Sequence, residues 1–165
     1  MDKQIEVWEG NHLLIWLTIA VIWAIDRILK VLIQGNFTLG ESLVVIPDFF
    51  HITYILNPGA AFGLLPGKSW IFILTAVLAV VGIIIAQYKI PPQEWLLRLT
   101  LGLIGGGALG NLYDRLFIGE VVDYLDFQIW PFVFNFADSA IVVGAGLLMV
   151  NAFLEERKER KSKNG

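Results

Sequence analysis

An uninterrupted apolar run from Ser69 to Tyr88 restricts the fold of this chain more than any other feature of its sequence. The run contains twenty residues and no charged side chain. A helix of that length is about 30 Å long, which matches the hydrocarbon core of a bilayer. The dipeptide Pro91-Pro92, which cannot continue a helix, follows it. The run therefore predicts a transmembrane helix, and a content of 56% hydrophobic residues is too high for an ordinary soluble domain.

Three further apolar segments are long enough to cross a bilayer once their flanking residues are included. Thirteen uncharged residues run from Leu13 to Ile25, and a helix that continues through Asp26 to about residue 33 reaches the required length. The other two segments, Leu99 to Tyr113 and Ser139 to Leu154, have fifteen and sixteen uncharged residues. We predict a mainly α-helical, polytopic membrane domain over residues 1–165, with four transmembrane helices at about 12–33, 69–88, 95–113 and 138–156.

The distribution of basic residues predicts how this domain is oriented. Four spans place both termini on one side of the membrane, together with the Pro91-Pro92 loop. That side has eight basic residues, and the other has four. The positive-inside rule then places the termini in the cytoplasm and the connections at about 34–68 and 114–137 outside. The eight are Lys3, Lys89, Arg98, Arg157, Lys158, Arg160, Lys161 and Lys163, and the four are Arg27, Lys30, Lys68 and Arg115.

Composition also excludes several kinds of site. The chain has no cysteine, so a thiolate nucleophile, a disulfide framework and a cysteine metal site are all excluded. Its two histidines, His12 and His51, are far apart in sequence, which disfavours a Ser-His-Asp triad or a histidine metal site. The net charge of −3 and the single basic tail make nucleic acid an improbable partner. We expect neither a metal nor a cofactor.

The two outward connections are unusually rich in aromatic and β-branched residues. The segment from Leu43 to Leu56 has the composition of short strands, which we expect to lie on the membrane surface as a small β-structured cradle. The segment from Phe127 to Phe136 has the composition of an interfacial anchor. Both segments suit an apolar ligand, and ordinary membrane anchoring is the alternative.

Four aspartates lie in the stretch from Gly107 to Ile141, beside the last two apolar segments. An acidic side chain at membrane depth costs roughly 2.5 to 3.5 kcal/mol on insertion scales, and such residues are usually functional. Taken alone, Asp138 could cap the helix that follows it, and Asp123 could be a solvated loop residue. Their common position at the predicted outer membrane edge, joined by an aromatic segment, instead favours a shared site.

Two neighbouring carboxyl groups can supply an acid and a base at once. Both cannot easily ionise, so one retains a proton at neutral pH while the other is anionic. The anion can take a proton from water that attacks a peptide carbonyl, and the acid can protonate the leaving amine. This chemistry needs neither a metal nor a covalent nucleophile. We therefore predict a paired-carboxylate protease site at Asp123 and Asp138.

The remaining polar residues near the apolar segments have structural explanations. Asp26 and Lys30 have the i, i+4 spacing of a helical ion pair, for which neutralisation is the first interpretation. Asp114 is predicted to end the third helix and to bind a neighbour, and Asn57 can form a turn with Gly59. Gly102, Gly106 and Gly110, at four-residue intervals, predict close helix packing.

Five motifs carry a resemblance to a known family. They are Asp26-Arg27-Ile28-Leu29-Lys30, NPGAAFG at 57–63, GALGNLYDR at 107–115, VVDYLDF at 121–127 and FNFADSAI at 134–141. In type and order they resemble motifs of the lipoprotein signal peptidases, or signal peptidase II, which are aspartic proteases of the bacterial inner membrane. The resemblance covers about residues 12–155.

The resemblance implies an endopeptidase that cleaves prolipoproteins just before a diacylglyceryl-modified cysteine. It also implies an active site near the outer face, a lid-like segment over that site, inhibition by globomycin-like cyclic peptides and contact with membrane lipids. We expect a monomer. The implied catalytic pair is Asp123 and Asp138. The implied supporting or substrate-binding residues are Asn57, Gly59, Asn111, Arg115, Asn135, Asp26, Lys30 and Asp114, of which Asn111 and Arg115 are candidates to hold the substrate.

Two other functions compete with this hypothesis. An intramembrane protease of the presenilin or prepilin-peptidase kind needs a GxGD motif, which the sequence lacks. A small proton-coupled transporter or conducting subunit could use Asp26 and Asp138 as relay carboxylates. Only four spans and no repeated half are predicted, and both features disfavour a transporter.

Overall fold

The computed structural model describes residues 2–59, 68–91 and 93–163 of the chain. This described part forms four helices and a four-stranded sheet. The lid-like segment implied by the family resemblance has no bounds of its own within residues 43–63, of which residues 60–63 lie outside the described residues. In chain order the elements are α1 (Asp2–Asn36), β1 (Ser42–Ile46), β2 (Phe50–Asn57), α2 (Ser69–Gln87), α3 (Trp95–Phe117), β3 (Val121–Phe127), β4 (Val133–Phe134) and α4 (Phe136–Lys163).

Three of the described helices, α1, α3 and α4, extend beyond the predicted spans. α2 agrees with the prediction to within one residue, whereas α1 and α4 extend well beyond bilayer length through polar sequence. Within the described part, α2 and the Phe136–Leu154 portion of α4 have the length and hydropathy needed to cross a membrane. The crossing of α1 and α3, which carry buried charged residues, stays a prediction.

α3 lies at the centre of the bundle and contacts α1, α2 and α4. Its glycines permit this close packing. A Cβ atom on Gly102 would lie 2.6 Å from the Thr18 Cβ, and one on Gly106 would lie 2.7 Å from the Ile22 Cβ. Larger residues at these positions would therefore force α1 away from α3. The predicted structural role of the glycine series is confirmed.

A four-stranded antiparallel sheet, in the order β1-β2-β3-β4, lies at one end of the bundle. β1 and β2 confirm the strands predicted between residues 43 and 56. The register places Ile55 opposite Asp123 and Asn57 opposite Val121. This pairing brings the end of β2 beside the proposed catalytic residue of β3.

The outward connection predicted at about residues 114–137 contains more helix and strand than its sequence indicated. α3 continues to Phe117, and residues 121–127 and 133–134 form β3 and β4. β3 could not be recognised from the sequence because four consecutive residues are buried. They are Val121, Val122, Asp123 and Tyr124. A strand covered on both faces lacks the alternation of apolar and polar residues that identifies half-exposed strands.

Candidate active site

The end of β2, the C-terminal third of α3, the start of β3 and the start of α4 meet at one site. These elements carry Asn57, Asn111, Asp123 and Asp138, while Asn135 directly precedes α4. Asn57 and Asn111 are more than fifty residues apart in the chain. Sheet pairing and the glycine-lined contact between α3 and α4 bring them together, because Gly107 lies against the backbone carbonyl of Ala137.

Asp123 is 1% exposed and accepts hydrogen bonds from two asparagine amides. The Asn57 Nδ2 donates to its Oδ2 at 2.8 Å, and the Asn135 Nδ2 donates to its Oδ1 at 2.6 Å. Burial, with a smaller contribution from the charge of Asp138, raises the pKa of Asp123 to about 7, against the lowering effect of the two amide hydrogen bonds. The carboxyl group of Asp123 is therefore poised to exchange a proton near neutral pH.

Asp138 lies in the first turn of α4 and also accepts two hydrogen bonds. The Asn111 Nδ2 donates to its Oδ1 at 2.7 Å, and the backbone N–H of Asn135 donates to its Oδ2 at 3.3 Å. The backbone N–H of Asp138 in turn donates to the Asn135 Oδ1 at 2.9 Å. This reciprocal pair has the form of a capping box. The helix cap is therefore Asn135, and the interpretation of Asp138 as the cap residue itself was wrong.

Asp123 and Asp138 both line a cavity of about 550 Å³. Asn57 and Ser139 are the other polar residues of its wall. The remaining lining is apolar and comes from β4, from the turn before it and from α4. These side chains are Trp130, Phe132, Val133, Phe134, Ile141, Val142 and Val143.

Two acidic and two basic side chains form a buried network next to Asp123 and Asp138. Lys30 contacts the Oδ2 of Asp26 at 3.0 Å and the Oδ2 of Asp114 at 2.7 Å, and Arg27 contacts the Oδ1 of Asp114 at 2.6 Å. The predicted pairing of Asp26 with Lys30 is confirmed, but each charge has more than one partner. Asp114 lies inside α3 and does not end it.

The two acids of this network also hold the backbone next to each aspartate. Asp114 accepts a hydrogen bond from the backbone N–H of Val122 at 3.2 Å, one residue before Asp123. Asp26 accepts one from the backbone N–H of Ala137 at 3.2 Å, one residue before Asp138. The network thus positions both β3 and α4.

Arg27 was missed as a site residue by sequence reasoning. It was counted only as a basic residue near the outer membrane edge, yet its side chain is mostly buried and pairs with Asp114. The Cζ atom of Arg27 also lies 4.6 Å from the centre of the Tyr113 ring. Its position next to Asp26 in the sequence was the available signal. Sequence spacing alone, however, could not show that Arg27 pairs with Asp114.

Arg115 and Gly59 tie the end of β2 to α3. The Arg115 guanidinium donates to the carbonyl of Gly59 at 3.0 Å and to that of Asn111 at 3.3 Å. The backbone N–H of Gly59 donates to the Asn57 Oδ1 at 3.0 Å, which is the turn predicted for this sequence. The Asn57 oxygen is thereby occupied, so its amide nitrogen faces Asp123.

Comparisons with known proteins identify the family of this chain. A family model described as signal peptidase (SPase) II matches residues 18–154. The chain belongs to the signal peptidase II family. A lipoprotein signal peptidase of Desulfitobacterium hafniense is 78% identical over 150 residues, which cover 91% of this chain and 99% of that relative. One from Pelotomaculum thermopropionicum is 48% identical over 151 residues, covering 89% and 99% respectively.

A solved structure shares the fold of this chain. It is described as a bacterial membrane enzyme determined by the in meso method at 2.3 Å resolution, and it matches with a TM-score of 0.81 and 32% identity. The match covers 88% of this chain and 90% of the other. The resemblance to signal peptidase II is confirmed, and the chain is a membrane peptidase by family. The comparisons therefore favour the peptidase hypothesis over the transporter.

Proposed function

We propose that this signal peptidase II removes signal peptides from prolipoproteins, with Asp123 and Asp138 as its catalytic pair. One observation carries the mechanism. Two aspartates, each held by asparagine donors, line the same largely apolar cavity. The relatives are lipoprotein signal peptidases, which supports the choice of substrate.

The proposed reaction uses the two carboxyl groups in different protonation states. Asp123, whose pKa is raised to about 7 mainly by burial, holds the proton, and Asp138 is the anion. Asp138 takes a proton from water as the water oxygen bonds to the scissile carbonyl carbon, while Asp123 hydrogen-bonds to the carbonyl oxygen. Asp123 then gives its proton to the leaving amine nitrogen as the C–N bond breaks, and the proton that Asp138 took from water leaves the pair singly protonated, as at the start. The products are a free carboxylate and a free amine.

The apolar wall of the cavity supports a lipid-modified substrate. Its aromatic and aliphatic side chains come from β4 and from the part of α4 that can cross a membrane. Such a wall suits acyl chains beside the diacylglyceryl-modified cysteine. We propose that the site lies at the outer face of a four-helix bundle that works as a monomer among membrane lipids. A globomycin-like cyclic peptide is expected to occupy the same cavity.

Substitution of each aspartate tests the catalytic pair. Asp123→Asn and Asp138→Asn should each lower cleavage of a diacylglyceryl-modified precursor by at least about 100-fold, because a positioned acid or base contributes that much. Asp126→Asn is the matched control, since Asp126 lies on the same strand but accepts from Thr53 at 2.6 Å. The control should retain activity. Activity within about tenfold of wild type in either test variant would exclude the pair.

The lipid requirement is tested with two forms of one precursor. The purified protein should cleave the diacylglyceryl-modified precursor faster than the same precursor with an unmodified cysteine. Equal rates for the two forms would show that the apolar wall does not read the lipid. The peptidase activity itself would stand in that case, because both forms would still be cleaved at the same bond.

A further inference from the structure

Lys30 is a fully buried cation that touches three acceptors. Its Nζ lies 3.0 Å from the Asn111 Oδ1, 3.0 Å from the Asp26 Oδ2 and 2.7 Å from the Asp114 Oδ2. Its side chain is 0% exposed. An ammonium group has three N–H donors and no acceptor. Each donor of Lys30 therefore has one partner.

Lys30 determines which way the Asn111 amide faces. Because the ammonium can only donate, Asn111 must present its carbonyl oxygen to Lys30, and its amide nitrogen then faces Asp138 at 2.7 Å. The Asn135 Nδ2 donates to the same Asn111 oxygen at 3.0 Å and reinforces this orientation. A flipped amide would place N–H groups against the ammonium and its oxygen against a carboxylate.

We propose that Lys30 is a positioning residue that acts through Asn111, making its amide a fixed donor to Asp138 and so keeping Asp138 as the anionic member of the pair. A donor that cannot rotate favours the ionised form of the carboxylate it faces. This inference rests on the proposed aspartic mechanism. It gives Asn111 the role of holding Asp138 instead of the substrate, because Lys30 occupies its amide oxygen and Asp138 its amide nitrogen.

Other charged and titratable groups also surround Asp138. Arg115 acts on it by charge, but its N–H groups bond to the carbonyls of Gly59 and Asn111. Lys30 contributes its charge as well, and its contact with Asn111 adds a directional effect that a distant charge lacks. Among the described residues, the charged or titratable groups that interact with Asp138 include Lys30 from α1, Arg115 from α3, and Asp123 and Tyr124 from β3. Asp26 and Asp114 face Lys30.

A purely structural role for Lys30 makes a different prediction. Lys30 neutralises Asp26 and Asp114, which hold the backbone next to both aspartates. If Lys30 served only to hold the fold, its removal would lower the amount of active protein by the same factor at every pH. A positioning role instead moves the pH at which activity is lost on the acidic side.

The test compares a charge-balanced double variant with a matched single variant. Lys30→Met with Asp26→Asn removes one cation and one anion, and Asp26→Asn alone retains the contact between Lys30 and Asn111. Cleavage of a diacylglyceryl-modified precursor is measured from pH 4 to 9 on folded, purified protein. We expect the acidic limb of the double variant to move upward by about one pH unit, because a hydrogen bond to a charged group is lost. The Asp26→Asn limb should stay in place.

A second variant tests the contact of Asn111 with Asp138 separately from the ion network. Asn111→Leu leaves Lys30, Asp26 and Asp114 in place and should move the acidic limb by a similar amount. Adding the Lys30 and Asp26 changes to Asn111→Leu should cause no further movement, since Lys30 acts through Asn111. If the Lys30 variant fails to fold, an unmoved limb in Asn111→Leu still overturns the inference, since Lys30 acts through Asn111.

Three results would overturn the inference. Two of them are an unmoved acidic limb in the Lys30 variant and an unmoved acidic limb in Asn111→Leu. The third is a limb that the Lys30 and Asp26 changes move equally with and without Asn111→Leu. Failure of the proposed function is separate, because it would appear as retained activity in Asp123→Asn or Asp138→Asn. If those two variants are inactive and the limbs do not move, only the role of Lys30 is wrong.

Discussion

At the scale of single residues, three asparagines determine how the two aspartates are held. Each has its oxygen occupied by a donor that cannot reverse. The donors are the Gly59 N–H for Asn57, Lys30 for Asn111 and the Asp138 N–H for Asn135. All three amide nitrogens consequently point toward a carboxylate. An asparagine can donate or accept, so sequence alone does not reveal this direction.

Removal of the Asn57 donor should move the alkaline limb of the pH profile upward. The hydrogen bond from Asn57 lowers the pKa of Asp123, which burial holds at about 7. In Asn57→Ala the ionised form loses that bond, so the proton should leave at a pH about one unit higher. Cleavage rates from pH 6 to 10 give the position of the limb, which belongs to the coupled pair.

Thr53→Ala is the control for this experiment. Thr53 lies on the same strand, but it donates to Asp126 and not to Asp123. Its alkaline limb should match that of the wild type. A limb that moves downward in Asn57→Ala, or equally in both variants, would contradict the assignment of Asn57 as a donor to Asp123.

Asp123 should also make the stability of the protein depend on pH. Its folded pKa of about 7 lies above the ordinary value of 3.8, so the folded state binds this proton more tightly than the unfolded state. The resulting stabilisation is complete below about pH 4 and is lost as the pH rises through 7. Asp123→Asn removes this effect. The drop in melting temperature between pH 5 and pH 9 should therefore be smaller in Asp123→Asn than in wild type.

A simple comparison would contradict this stability prediction. If wild type and Asp123→Asn lose the same number of degrees between pH 5 and pH 9, the folded pKa of Asp123 is not raised. A constant offset between the two proteins does not matter, because asparagine also changes the hydrogen bonds at this site.

At the scale of elements, the small residues of α3 allow the site to assemble. Gly107 lies against the backbone carbonyl of Ala137 at the start of α4, and Gly110 lies against the Asp26 carboxylate of α1. The same helix carries Asn111 and Asp114 toward these neighbours. Close approach of three helices therefore brings the ion network within hydrogen-bonding distance of the site.

Gly110→Ala should damage both stability and activity. The new Cβ would meet the Asp26 Oδ2 and lie 2.9 Å from the Asp26 Cγ and 3.3 Å from the Ala137 Cβ. Overpacking of this kind typically costs about 1–3 kcal/mol. Thermal unfolding in detergent should show a lower melting temperature, and cleavage should slow because Asp26 also holds the start of α4.

Gly82→Ala is the matched control within α2. A Cβ at this position meets nothing within 4 Å, so only the helix propensity changes. Alanine is favoured over glycine by about 0.8–1 kcal/mol inside a helix, and the melting temperature should hold or rise. Equal destabilisation by both substitutions would show that the space beside Gly110 is not the cause.

At the scale of the whole molecule, the sheet and the helix ends place the candidate site at one end of the bundle. β1 is exposed along its length and carries Leu43, Val44, Val45 and Ile46. An exposed apolar strand of this kind suits a membrane surface better than water. The predicted orientation places this end outside the cell and the end of α4 in the cytoplasm.

Cysteine labelling tests the predicted orientation directly, because the chain has no cysteine of its own. Ser42→Cys on β1 should react with a membrane-impermeant maleimide in intact cells whose outer face is accessible. Glu156→Cys on α4 should react only after the cells are permeabilised. Both side chains are exposed in the structure. The reverse pattern would mean that the orientation is inverted. Labelling of both residues in intact cells would place them on the same side and would contradict the four predicted crossings.

The sequence by itself determined the membrane character, the approximate helices, the first two strands and the family. These properties depend on local composition, on periodicity and on the order of short motifs, all of which can be read along the chain. Asp123 and Asp138 could be nominated from the same information, because acids beside apolar segments need a partner or a function.

Only the tertiary structure decided how those residues meet. The bond between Asn57 and Asp123 joins positions 66 residues apart, and that between Lys30 and Asn111 joins positions 81 apart. β3 and the cap of α4 were likewise decided by burial and by a reciprocal hydrogen bond, not by local pattern. Contacts between distant segments depend on how helices and strands pack, so the direction of each hydrogen bond emerges only when the whole chain is folded.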